Sequence, residues 1–341
     1  MRDESPNLDL LRTIAVALVY ISHLLNYVGW GYDGAFRLTS LGFMGVAIFF
    51  VHTSLVLMMS MHRQQPGPLA VPFFIRRVMR IYPLSITAVL VMTLAAVMQQ
   101  RPVDAWVVVT NLLLVQNIAD VQSIPPPLWS LPYEVQMYLL LPAVFIATRS
   151  AGRVRFVLLG WVLSIVAFAL AWTGGWFLGA VLLKYVPCFL PGIVAYLLMR
   201  DRERRASFPP ARIFGVLVLC VALIPVAAAW GSASAGDGLG RTLIFAWGLC
   251  MAIGLMLPFV RQIRNPQLTA IVKTIATYSY GIYLIHAPVM DLMFARLHAP
   301  WVVQFAASVA LTALIVFAAH HLIEQPAIRL GRRLSQSATA V

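Results

Sequence analysis

The chain has 341 residues, of which 61% are hydrophobic and only 11% charged, and it carries a net charge of +13. Soluble domains carry about 25% charged residues, so this composition cannot clothe a water-facing surface and excludes an ordinary soluble enzyme. A nucleic-acid partner for the positive charge is excluded as well if that charge sits in short loops between apolar spans.

A helix that crosses a bilayer needs about 20 mostly apolar residues. Taken in chain order, such runs fall at 8–29, 40–61, 82–99, 132–148, 155–173, 177–199, 212–230, 241–260, 271–293 and 300–321. The fold expected is an all-α integral membrane protein with about ten transmembrane helices and both termini cytoplasmic. A further stretch, 105–118 (AWVVVTNLLLVQNI), is short and carries Asn111 and Gln116. It is expected to be a re-entrant or interfacial outer segment. If it crossed the membrane, every later basic cluster would lie outside, against the rule that Lys and Arg collect on the cytoplasmic side.

With ten spans and an inner N-terminus, 19 of the 25 Lys and Arg residues fall on inner segments and four (Arg37, Arg101, Arg241 and Arg296) on outer ones. The remaining two, Arg12 and Lys184, lie within spans. The inner charge suits anionic lipid and anionic cytosolic ligands. One polytopic domain over 1–341 is expected, with 335–341 a disordered tail and no cleavable signal peptide. Cys188, Cys220 and Cys250 all lie in apolar runs without metal-ligand spacing, and are read as packing residues.

A charge inside a transmembrane helix costs roughly 3 kcal/mol or more, so intramembrane ionisable residues are functional candidates. Five stand out: Arg12, His23, His52, Glu134 and His286. Arg12 and His23 are eleven residues apart on the first helix, about 1100° of rotation, or three turns plus about 20°. They face one way, roughly 16 Å apart along the axis. Glu134 opens the fourth span after PPPLWSLPY, where it could also complement the helix dipole. His286 lies in the outer half of the ninth span, in YSYGIYLIHAPV, among Tyr278, Tyr280 and Tyr283. Tyr278 and Tyr280 are read as an interfacial aromatic belt. The role of His52, mid-span in the second helix, stays open. His23, Glu134 and His286 fall at similar outer-half depths, as a base and its orienting partner would. No metal is expected, because no tight His-x-x-x-His spacing is present. On the inner side FFIRRVMRIYP places Arg76, Arg77 and Arg80 at i, i+3 and i, i+4 helix positions. Guanidinium groups so placed can grip phosphates, or simply anchor the helix to the inner face.

Several stretches together resemble the membrane acyltransferase 3 family, which includes O-acetylases of surface polysaccharides, Nod factors and macrolides. They are LDLLRTIAVALVYISHL, GVAIFFVHTSLVLM, FFIRRVMRIYP, LWSLPYEVQMYLLLP, YSYGIYLIHAPV and the closing EQPAIRL, in the expected order. The resemblance implies ten or so helices in a bacterial plasma (inner) membrane and an acyl-CoA donor from the cytosol, acetyl-CoA being the foremost. It also implies an acceptor on the outer side, a carbohydrate or lipid-linked glycan. It carries a catalytic role onto His23, a supporting one onto Arg12, acyl-CoA handling onto Arg77 and Arg80 with Arg76 beside them, and pore roles onto Glu134 and His286. The chain departs from the family pattern at Ala47, Thr53, Ser54 and Val135. The rival readings are a small-molecule transporter or exporter, whose usual internal repeats are missing here, and a non-enzymatic partner in glycan assembly.

Overall fold

The computed structural model describes residues 5–29, 40–64, 69–150, 153–205, 238–260 and 262–337. The expected span 212–230, Cys220 and all but the last residue of the expected outer loop 231–238 lie outside the described residues. Among the described residues every regular element is a helix, and there is no strand. Nine helices among the described residues are long and apolar enough to cross a membrane. The chain is therefore an all-α, multi-pass integral membrane protein. In lipid every backbone polar group must be satisfied within its own segment, and a helix does that.

The helices are α1 (Pro6–Tyr27), α2 (Ser40–Arg63), α3 (Ala70–Met98), α4 (Ala105–Leu113), α5 (Leu131–Ala147), α6 (Val154–Thr173), α7 (Phe177–Leu183) and α8 (Val186–Arg205). They continue as α9 (Gly238–Met256), α10 (Pro266–Arg296), α11 (Trp301–Ala319) and α12 (Gln325–Ser337). A π-helical turn, His320–Glu324, joins α11 to α12. Pro6 starts α1, where its missing N–H costs nothing.

Two elements differ from the sequence expectation. The third helix begins at Ala70, twelve residues before the apolar run at 82, because Arg76, Arg77 and Arg80 lie within it. The short segment 105–118 forms only the nine-residue α4, about 14 Å long, which cannot cross a hydrocarbon core of about 30 Å. Asp104 caps α4 by accepting from the Trp106 N–H at 2.8 Å, and the helix stops at Leu114, whose φ of 56° is left-handed.

The described chain forms two compact units. The first contains Met1–Ser60 and Ala143–Thr277. Within it α1 and α2 meet closely at Gly45, where a Cβ would stand 2.5 Å from the Ala15 carbonyl oxygen. Likewise α2 and α8 meet at Gly192, where the Ser54 hydroxyl fills the space and donates to the Phe189 carbonyl at 2.6 Å. Small residues let helix backbones approach where lipid gives no hydrophobic drive. Arg200 is buried and donates to the carbonyls of Thr148, Arg149 and Ser150 at 3.0–3.3 Å. One of the inner-cluster arginines thus closes the carboxyl end of α5.

The second unit contains Met61–Pro142 and Tyr278–Val341. In it α12 lies along α3. The outward residues of α3 and α11, such as Leu90, Leu94, Val97, Val302, Val309 and Leu314, are exposed and apolar, as a lipid-facing surface requires.

Candidate functional site

In the first unit α1 presents Arg12 and His23 on its packed side. Val16 and Val19 lie within about 40° of Arg12 around the helix, and both are buried. Ile21, about 180° round, is 44% exposed. Arg12 and His23 are each half-buried, so neither stands on the exposed face. Asn7 fixes the start of α1: its side-chain oxygen accepts from the Ile263 N–H at 3.1 Å, and its own N–H donates to Gln262. Further along, the Thr13 hydroxyl donates to the Val272 carbonyl at 3.1 Å. His52 on α2 is buried within reach of the Arg12 charge. The structure thus groups Arg12 with His52.

In the second unit the arginines of α3 have unequal surroundings. Arg76 and Arg77 are half-buried. Arg80 forms an ion pair with Glu324, whose side chain is 1% exposed. The Nδ1 of His320 is 3.3 Å from the other carboxylate oxygen of Glu324. The Arg80 guanidinium also lies over the Tyr280 ring, 5.8 Å from its centroid, and the Tyr280 hydroxyl donates to the Ile81 carbonyl at 2.8 Å. Tyr280 is therefore part of the setting of Arg80 rather than a member of an interfacial belt. Tyr278 packs edge-on against His320, 4.9 Å between centroids.

Glu134 lies in the first turn of α5, after a 3-10 turn at Pro126–Ser130. Tyr138, one turn on, hydrogen-bonds its carboxylate, and the same charge reaches Tyr280 and Tyr283. The Tyr283 hydroxyl donates to the Pro127 carbonyl at 2.8 Å. Its one proton is then used, so the Ser130 hydroxyl, also at 2.8 Å, is the donor of that pair. These bonds tie α10 to the 3-10 turn that leads into α5 and Glu134.

His286 is 1% exposed, one turn beyond Tyr283. Its Nδ1 lies 3.0 and 2.8 Å from the carbonyls of Ile282 and Tyr283. Carbonyl oxygens only accept, so Nδ1 carries a proton, and Nε2 is left for other partners. Glu134 and His286 thus join one tyrosine-centred network, while Arg12, His23 and His52 belong to the other unit. Among the described residues no group of three or more His, Cys, Asp or Glu side chains is placed to hold a metal ion.

An Acyl_transf_3 model, described as an acyltransferase domain, matches residues 5–321. The chain belongs to this family. No curated protein and no solved structure matches it. Membership of Acyl_transf_3 makes the protein an acyltransferase; Arg12, His23, the α3 arginines, Glu134 and His286 all lie within the matched residues.

Two features of this acyltransferase were not singled out from sequence. Glu324 lies three residues past the end of the family match. Its signal was an acid just past the apolar run at 300–321, on a chain whose third helix carries three arginines. The other is the bonding of Asn111 and Gln116, residues the sequence marks only as polar; they are 0% and 1% exposed, and their bonds to the following loop could not be read from spacing.

Proposed function

We propose that this acyltransferase moves an acyl group, acetyl foremost, from cytosolic acyl-CoA to a hydroxyl of a carbohydrate or lipid-linked glycan at the outer side of a bacterial plasma membrane. The supporting observation is α1. A cation and an imidazole share its packed side about 16 Å apart, a separation that a pantetheine arm can bridge. Arg76 and Arg77, with Arg80 behind them, attract the multiply phosphorylated donor. Arg12 steadies the arm on its way outward.

His23 takes the proton from the acceptor hydroxyl as the oxygen attacks the thioester carbonyl. The carbon–sulfur bond breaks, and the imidazolium returns its proton to the departing CoA thiolate. The products are an O-acyl ester and free CoA. Glu134 and His286 support the charge that develops in this exchange.

Membrane vesicles containing the protein, supplied with radiolabelled acetyl-CoA, test this reading. His23→Ala is expected to lower label transfer at least 100-fold, the scale of a lost general base, while the protein still inserts in the membrane. Transfer at the wild-type rate in that variant removes His23 from the mechanism.

A further inference from the structure

The second unit contains a cavity of about 470 Å³ at the far end of α3. Its walls come from three places. The end of α3 supplies Thr93 and Gln99, the start of α4 supplies Asp104, and the loop before the 3-10 turn supplies Gln122 and Ser123. The volume falls in the usual range for small-molecule sites, about 300–1,000 Å³. Thr93 lies thirteen residues beyond Arg80, about 20 Å further along the same helix. Gln99 lies about 9 Å beyond that. The cavity therefore lies at the end of α3 opposite the arginines.

Three observations bear on what it would hold. First, its polar lining is neutral in sum: Arg101 and Asp104 balance, and the remaining polar groups are hydroxyls and amides. A polyphosphate donor is not what such a lining selects; a ligand rich in hydroxyl groups is. Second, Thr93 lines this cavity, and its hydroxyl oxygen is buried with no hydrogen-bond partner among the described residues. A buried polar group without a partner is rare and calls for one. Third, the polar wall is held in place before any ligand arrives. Asn111 donates to the Gln122 carbonyl at 2.9 Å and accepts from the Ile124 N–H at 2.8 Å. Gln116 donates to the Leu128 carbonyl at 3.3 Å. Held polar groups bind without an ordering cost. The same loop runs on through Pro125 and Pro126 into the turn that binds Tyr283 and leads to Glu134.

We propose that this cavity is the acceptor subsite and takes an uncharged sugar residue of the glycan. The sugar hydroxyls bond to Thr93, Gln122 and Ser123, and its apolar face rests on Ala96 and Val107. The inference rests on the acyl transfer proposed above and adds where the acceptor binds and what its chemistry is.

The test uses the triple variant Thr93→Val, Gln122→Leu, Ser123→Ala in native membrane vesicles with [1-14C]acetyl-CoA. Label is counted separately in carbohydrate and lipid extracts. Acetyl-CoA affinity is measured by calorimetry on the purified full-length protein. The expected result is a fall in carbohydrate labelling of fivefold or more, with acetyl-CoA affinity within twofold of wild type. A smaller fall in labelling overturns the assignment, and so does a loss of acetyl-CoA affinity in step with transfer, which marks a structural defect. Label that enters lipid acyl or head groups instead of carbohydrate overturns the sugar assignment. If the triple variant does not accumulate in membranes, Thr93→Val alone is held to the same criteria, with a threefold threshold. Wild-type vesicles that transfer no label to any acceptor overturn the acyl-transfer reading itself, a result separate from any behaviour of the variants.

Discussion

Glu324 shows how a single buried charge changes the meaning of another residue. Arg80 reads in the sequence as one of three equal basic groups. In the structure it holds a carboxylate that is almost wholly out of water, with His320 on the carboxylate's other oxygen. Removing one member of a buried ion pair costs about 3–5 kcal/mol, because the other charge is left behind. The Arg80 side chain remains 21% exposed, so Glu324→Gln is expected to cost less, about 2 kcal/mol, the surviving guanidinium being partly rescued by solvent. Thermal unfolding in detergent checks this. The double variant Arg80→Gln, Glu324→Gln should be more stable than either single variant, since it leaves no orphan charge. If the two single losses simply add, the pair is not coupled. The pairing could not be read from the sequence because the partners stand 244 positions apart and Glu324 follows the last apolar run, where it looks like a solvated flank. His23 and Arg12 were legible for the opposite reason: both sit on one helix, and a fixed rotation of about 100° per residue makes spacing into geometry.

At the scale of elements the same contrast holds. The long apolar helices follow from run length, and eight of them begin within a few residues of the runs that marked them. The exception is α3, whose first twelve residues carry three arginines and so fail a hydropathy criterion while still forming helix. The segment α4 was legible as non-crossing from its length and its amides. Where those amides point was not, because Asn111 bonds a loop eleven and thirteen residues away. Asn111→Leu would leave the Gln122 carbonyl and the Ile124 N–H without this partner. Each such buried loss costs about 1–3 kcal/mol, so a destabilisation of about 2–4 kcal/mol is expected, concentrated in 119–126. Limited proteolysis of oriented vesicles reads it: faster cleavage in this loop with the rest of the chain protected. Uniform protection in the variant would mean that Asn111 does not hold the loop.

For the whole molecule the open structural quantity is orientation, and the basic residues state it as an expectation. Nine described helices can cross the membrane. An odd number of crossings would put the termini on opposite sides, and Arg264, Arg329, Arg332 and Arg333 would then face outward, away from Arg149 and Arg153. That arrangement splits the basic residues between two faces, contrary to the preference of Lys and Arg for the cytoplasmic side. A tenth crossing at 212–230 removes the conflict. Single cysteines settle the matter in a background from which Cys188, Cys220 and Cys250 have been replaced by alanine; Cys188 and Cys250 are buried and free. A membrane-impermeant maleimide added outside intact cells is expected to reach Arg101→Cys and not Arg149→Cys, Arg264→Cys or Arg333→Cys, all three of which react once the membrane is opened. Labelling of Arg264→Cys and Arg333→Cys from outside, with Arg149→Cys still protected, would mean that 212–230 does not cross. The positive charge would then not gather on one face, and the donor could not be assigned to the cytosolic side on charge alone. Protection of all three together with an accessible Arg101 puts the arginine end of α3 and the cavity beyond Thr93 on opposite faces of the bilayer, the separation that transfer from a cytosolic thioester to an external sugar requires.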